Sequence, residues 1–239
     1  MAQDHIGGDG AVAVIGGTAG LGRDLAEYYA ERGRPVVITG RSQERADKVA
    51  AEIGGRTTGI ALDLLQTERI GPALAGVGPV QHLALCAFFR DLNTVRELNA
   101  AAARDLMTIK IVGYAEVVHA LHGRLLPTAS LLLYGGGLKD RPLVGTLTVS
   151  TANAAMMGLA RALAVELAPI RVNAIHPGMV ADSPFWSGQP AELREAIRLR
   201  TPTGRYTTMR EVTTAAAFLL EHPALNGVNL DVNGGASLG

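Results

Sequence analysis

Short apolar runs recur along this chain, and segments with helical spacing fill the gaps between them. The runs at 12–15, 36–39, 59–62, 82–86, 130–134, 171–176 and 228–232 read as strands. Several are apolar nearly throughout, the pattern of strands covered on both faces. Alternation of such runs with helical segments predicts a parallel sheet with crossover helices. Within 21–32, Leu25, Tyr28 and Tyr29 fall at helical spacing, and Gly33 marks an end. Ser42 is placed to cap a helix over 43–53, with Gly54-Gly55 as its stop. The segment 100–122 is long and amphipathic. The segment 151–167 is rich in alanine, with small residues on several faces, which suits close packing against the sheet or a second subunit. Residues 179–208 break the rhythm with Pro184, Phe185, Trp186, Pro190 and Pro202, the mark of a substrate lid late in an α/β chain.

Composition narrows the class. The 239 residues are 48% hydrophobic, enough to bury a large core, and the formal net charge is zero. Neutrality argues against nucleic acid or an anionic membrane as a partner. Cys86 is the single cysteine, so no internal disulfide can form. No apolar run approaches a membrane span, and Met1 to Gly10 lacks the basic-then-apolar order of a signal peptide. The expectation is a soluble, cytoplasmic protein. The only lysines are Lys48, Lys110 and Lys139, which with the wealth of alanine and glycine fits a GC-rich bacterial genome.

The chemistry begins at the first strand. Gly16-Gly17-Thr18-Ala19-Gly20-Leu21-Gly22 follows it directly and opens a helix. Such a strand–turn–helix is a phosphate cradle. Backbone N–H groups at the helix N-terminus face a pyrophosphate, and missing side chains let the chain approach it. The alternative is a turn that only packs strand on helix. At the end of the second strand, dinucleotide folds meet the adenosine ribose. Arg41 and Ser42 stand there with no acid before Glu44, which favours a 2′-phosphate and hence NADP(H) over NAD. Arg41 as a solvated loop charge is the alternative. Asp63 is placed either to meet the adenine amino group or to cap a helix from Leu64 onward.

These features resemble the short-chain dehydrogenase/reductase family, and the resemblance spans nearly the whole chain. The family's Thr-Gly-x-x-x-Gly-x-Gly matches residues 15–22 but for the first position, where Ile15 stands. Residues 163–178, ending His176-Pro177-Gly178, resemble the stretch from the active-site helix to the nicotinamide-contacting Pro-Gly. Residues 226–235 resemble the last strand. The resemblance implies a single-domain, Rossmann-like, doubly wound sheet of seven parallel strands with helices on both faces. It also implies cofactor contacts at Gly16, Thr18, Gly20, Leu21, Gly22, Arg41, Ser42, Asp63, Leu64, Ala87, Asn153, Pro177, Gly178 and Val180. The family works through an Asn, a Ser, a Tyr and a Lys. The matching positions here hold Lys110, Gly136, Val149 and Asn153, and the Asn-Asn-Ala-Gly after the fourth strand has become Leu85-Cys86-Ala87-Phe88. The chain is therefore read as a divergent branch that lacks the tyrosine acid.

Four residues are candidates for replacing that acid. Lys110 sits between Ile109 and Ile111, where burial would lower its pKa; the alternative is a structural lysine bound to backbone carbonyls. Asp140 and Arg141 come after the Gly135-Gly136-Gly137 loop, and a solvated charged loop is their bland reading. His176 ends a strand where doubly wound sheets bind ligands, and can equally be a satisfied core histidine. Asp182 reads as a nicotinamide contact or a lid-helix cap, and Phe185 and Trp186 as pocket lining or core. Cys86 reads as a packed strand residue rather than a nucleophile. The histidines show no metal-ligand spacing on one element.

The leading expectation is an NADPH-dependent reductase of an activated ketone, enone or imine, in bacterial secondary metabolism. Two others stand beside it: a cyclase, isomerase or dehydratase that uses bound NADP as a scaffold, and a cofactor-binding pseudoenzyme or partner subunit. The expected substrate is small and fairly apolar, and the family resemblance implies a homodimer or homotetramer.

Overall fold

The computed structural model describes residues 10–238. The segment read for a signal peptide, and His5, fall almost entirely outside the described residues. Seven strands form one sheet: β1 (Ala11–Ile15), β2 (Val36–Gly40), β3 (Thr57–Ala61), β4 (Val80–Leu85), β5 (Leu125–Tyr134), β6 (Arg171–Pro177) and β7 (Asn229–Val232). The order is β3-β2-β1-β4-β5-β6-β7, and every pairing is parallel. The chain therefore winds outward in two directions from β1 and β4. The crevice between their C-terminal ends is where open α/β sheets take ligands.

Strand residues alternate between two cores, as a pleated sheet covered on both faces requires. Ala13, Ile15, Leu83, Leu85, Leu131 and Leu133 join the core beneath α3 (Thr67–Ala73), α5 (Tyr114–Leu121) and α6 (Leu147–Glu166). Val12, Val14, Ala84 and Leu132 join the other, beneath α1 (Gly20–Ala30), α2 (Gln43–Ile53) and α9 (Met209–Glu221). Ser42 caps α2 as expected, accepting from the Arg45 amide at 3.4 Å.

The long amphipathic segment is a continuous helical rod with a flaw in it. α4 (Ala100–Met107) and α5 are joined by a π-helical turn, Thr108–Gly113. The extra residue in that turn aims Lys110 inward. Sequence pattern missed α3, which carries Pro72 inside it, and α9. The alanine-rich helix α6 begins at Leu147, earlier than expected, so Val149 and Ser150 lie in its first turn. Residues 179–208, expected as a lid, are less irregular than their prolines imply. They hold α7 (Pro184–Ser187), capped by Ser183, and α8 (Ala191–Arg200). Among the described residues, no helix is long and apolar enough to cross a membrane.

Candidate active site

The glycine turn has the geometry of a cradle. Gly16 sits at φ +86, and a Cβ there would lie 2.7 Å from the Ala87 backbone, so β1 and β4 meet only because no side chain intervenes. A Cβ on Gly22 would lie 2.4 Å from the Gly16 carbonyl oxygen. Gly20 faces open space, and Leu21 packs down on the α1–α2 core. Thr39 Oγ1, near the end of β2, accepts the Gly16 N–H at 3.0 Å and pins the turn. Thr18 packs against Gly40, where a Cβ would meet its methyl at 2.6 Å. The N-terminus of α1 has no side-chain cap and no acid in its first turn. Its free N–H groups and positive dipole end thus face the crevice unopposed.

Along the β2–β3 edge, Arg41 and Ser42 are exposed, and Arg41 enters none of the ion pairs among the described residues. Asp63 is half-buried. Its Oδ1 accepts the Leu65 amide at 3.0 Å and its Oδ2 the Gln66 side chain at 3.3 Å, so it closes a turn ahead of α3 and does not cap a helix from Leu64; the N-cap of α3 is Gln66. Leu64 is buried and packs on Gly113 of the π turn.

The opposite half of the crevice is built from side chains. Lys110 is 1% exposed. Its ammonium donates to the Tyr134 carbonyl and to the Tyr114 hydroxyl at 3.2 Å, and that hydroxyl donates to the Ala87 carbonyl at 2.7 Å. The chain of bonds ties the π turn to β5 and to the residue beside the glycine turn. Burial pushes the Lys110 pKa down to about 7, with Cys86 opposing slightly. The direct encounter with a substrate expected of a catalytic acid is closed to it in this geometry, and its bonds are those of the structural alternative.

His176 is fully buried beneath the glycine loop: a Cβ on Gly135 would lie 2.3 Å from its Nδ1. Its Nε2 meets Asn229 Oδ1 at 3.2 Å, and its Nδ1 has no partner. Burial lowers its pKa and so favours the neutral ring. Asn153, 4% exposed, lies beside it. A Cβ on Gly136 would sit 2.7 Å from its Nδ2, and its Oδ1 is buried without a partner. Val149 is 1% exposed, sealed in a small apolar cluster with Leu106 and Ala152.

The remaining candidates scatter. Asp140 pairs with Lys139, which also reaches Asp231 at 3.0 Å; both carboxylates bear electrostatically on His176. Arg141 is exposed and donates to the Ala236 carbonyl at 3.1 Å. Lys139 thus ties the loop to β7 with Asp140 as its second carboxylate, and Arg141 ties it to the C-terminal segment. Asp182 does not cap a lid helix: its Oδ1 accepts the Met209 amide of α9 at 2.8 Å. Pro177 ends β6, the Gly178 N–H donates to the Val232 carbonyl at 3.0 Å, and buried Val180 bridges to Thr207. Sequence reasoning missed Thr39, Tyr114 and Asn229, whose roles depend on which strands become neighbours.

The family model described as enoyl-(acyl carrier protein) reductase matches residues 16–237. The chain belongs to the short-chain dehydrogenase/reductase family. It is 28% identical to a 3-oxoacyl-[acyl-carrier-protein] reductase of Aquifex aeolicus, over 93% of this chain and 95% of that one. It is 34% identical to a cis-4-hydroxycyclohexanecarboxylate dehydrogenase of Sinomonas cyclohexanicum, over 94% and 95%. A short-chain dehydrogenase/reductase structure from Brucella melitensis superposes with a TM-score of 0.88 at 24% identity, covering 95% of this chain and 96% of that one. Reductases of this family use nicotinamide cofactors, and the cradle around Gly16, Gly20 and Gly22 fits the pyrophosphate of such a group.

Proposed function

We propose that the protein is an NADPH-dependent reductase whose substrate needs little acid assistance: an activated ketone, an enone, or an imine already carrying positive charge. The observation that carries this reading is a contrast inside one crevice. The cradle is open and its helix N-terminus uncapped, while Val149, where the family keeps its tyrosine, is sealed in an apolar cluster. NADPH, when bound, supplies the hydride. The chain's own residues bind and orient it. Arg41 meets the 2′-phosphate with charge-assisted bonds, and the partnerless Asn153 Oδ1 accepts a ribose hydroxyl. Asn153 carries no charge, so it orients without shifting a neighbour's pKa. Gly136 and Asn153 are sterically matched, since a serine at 136 would strike the Asn153 amide. That match supports a remodelled site rather than a decayed one. The names of the relatives point the same way, describing a reductase of 3-oxoacyl groups and a dehydrogenase of a hydroxycyclohexane.

Calorimetric titration with NADPH and NADH tests the reading. NADPH should bind at submillimolar concentration, and NADH ~10-fold or more weaker, the value of one charged hydrogen-bonded contact. Binding of neither would overturn it. The sealing of Val149, Lys110 and His176 favours a second reading, a cofactor-binding protein without turnover. NADPH binding without NADPH oxidation across a carbonyl, enone and imine panel would select it. Substrate conversion with unchanged cofactor absorbance would select a non-redox enzyme.

A further inference from the structure

The loop leaving β4 carries a half-buried cation that pairs with no anion among the described residues. The Arg90 guanidinium lies 4.2 Å from the centre of the Phe185 ring and 5.7 Å from that of Trp186. These are the two aromatic residues of α7, packed edge to face at 5.1 Å. Stacking of this kind uses the flat face of a guanidinium. A guanidinium held over a ring in that way satisfies none of its N–H donors through the contact. Here Nε is sealed from solvent and has no partner. Arg90 enters none of the ion pairs among the described residues. Burial lowers its pKa with no charge partner to offset the effect, though a guanidinium stays protonated.

The neighbouring acid does not answer it. Asp91 is buried and turns toward Asn93, whose amide donates to it and to Thr148 Oγ1 at the start of α6. Two other half-buried arginines show what an engaged guanidinium looks like in this chain. Arg124 donates to the Leu74 and Val77 carbonyls, and Arg171 to the Leu219, Leu220 and Leu225 carbonyls. Arg90 is held by lid aromatics instead, at the C-terminal edge of the sheet where the crevice opens.

We propose that Arg90, Phe185 and Trp186 form an oxyanion clamp between the β4 loop and the lid, and that the substrate carries a carboxylate or phosphate group which Arg90 binds. The proposal rests on the reductase reading only in calling that ligand the substrate. It revises the expectation of a fairly apolar substrate to an amphiphilic one, with an apolar part against the aromatic pair and an anionic end on the guanidinium.

Trp186 is the only tryptophan, so its fluorescence reports on the clamp without cofactor or turnover. The full-length protein and R90Q would be titrated with inorganic phosphate, acetoacetate, 4-phenyl-2-oxobutanoate and the methyl ester of the last. Among the described residues the Arg90 side chain has no hydrogen bond to lose in folding, and a thermal melt checks that R90Q is folded. The expected result is a saturable change with at least one oxyanion and none with the ester. Its midpoint should rise ~10- to 100-fold in R90Q, with R90K between, because lysine keeps the charge and loses the fork. Preference for phosphate over the carboxylates, or the reverse, assigns the source of the anion. In the NADPH oxidation assay, the acid-to-ester ratio of kcat/KM should fall by a similar factor in R90Q. Absence of any saturable anion response, an R90Q response equal to wild type, or an ester as effective as its acid would overturn the clamp. So would an equal loss of calorimetric NADPH affinity in R90Q, which would assign Arg90 to the cofactor's own phosphates. A fluorescence response without NADPH oxidation keeps the clamp and removes the reductase reading; oxidation indifferent to Arg90 does the reverse.

Discussion

The two halves of the crevice are shaped by opposite means. On the β1–β2 side, Gly16 and Gly22 make room by lacking side chains, and backbone N–H groups line the space. On the β5–α6 side, Asn153 and His176 fill the room that Gly135 and Gly136 leave, and Lys110 bonds inward to backbone and to Tyr114. The first half has a shape that any dinucleotide pyrophosphate can use. The second half holds the buried Lys110 and His176. Cofactor binding and chemistry are therefore separable properties here, and substitutions should act on one half without the other.

The sharpest break is expected at Gly16. G16A forces a side chain to positive φ and into the Ala87 backbone, a strain worth more than about 2 kcal/mol. A drop in melting temperature and loss of calorimetric NADPH binding should accompany it. NADPH binding at wild-type strength would refute the cradle.

The second half should reveal itself through pH. Lys110 titrates near 7 in the folded protein and at its ordinary value of 10.5 when unfolded. Between those values the unfolded chain holds the extra proton. This contribution is therefore complete above 10.5 and lost as pH falls toward 7. Melting temperature should thus contain a component that rises from pH 7 to 10 and that K110M abolishes. An identical slope in K110M would show that the ammonium is not desolvated as its burial implies.

A smaller effect is expected from G136S, whose side chain meets the Asn153 amide. Overpacking of this kind costs about 1–3 kcal/mol. N153A in the same chain should recover most of it, and additive costs in the double-mutant cycle would deny the steric match. The mildest change is R41A. NADPH affinity should fall ~10- to 100-fold while NADH affinity holds, the value of a charged hydrogen-bonded contact. Equal losses for both cofactors would make Arg41 a general rather than a 2′-phosphate contact.

Legibility in the sequence divided along the same line. Seven apolar runs became seven strands, with ends shifted by a few residues; β5 begins at Leu125, earlier than its apolar run. The Gly16–Gly22 turn could be read directly, because a close backbone approach demands glycine whatever surrounds it. α3 escaped notice because Pro72 interrupts its pattern. Among the catalytic candidates, Lys110 was legible as buried from its apolar neighbours, but its partner Tyr134 lies on β5, and the Tyr114 hydroxyl it also meets is held by Ala87, beyond the end of β4. Asp140 and Arg141 looked like site residues beside a glycine loop. Asp140 pairs with its neighbour Lys139, and Arg141 is drawn to the Ala236 carbonyl, a contact invisible in sequence.

By itself, then, the sequence determined the sheet, the crossover helices other than α3 and α9, the glycine turn and the family. Each rests on local periodicity or on backbone conformations that few residues tolerate. Only the tertiary structure decided that Lys110 is tied to Tyr134, that Asn153 stands in the space beside Gly136, and that Arg90 is stacked on the lid without an anion. Those outcomes depend on desolvation and on hydrogen-bond partners brought from distant strands and loops, and no local pattern encodes which partner a buried charge will find.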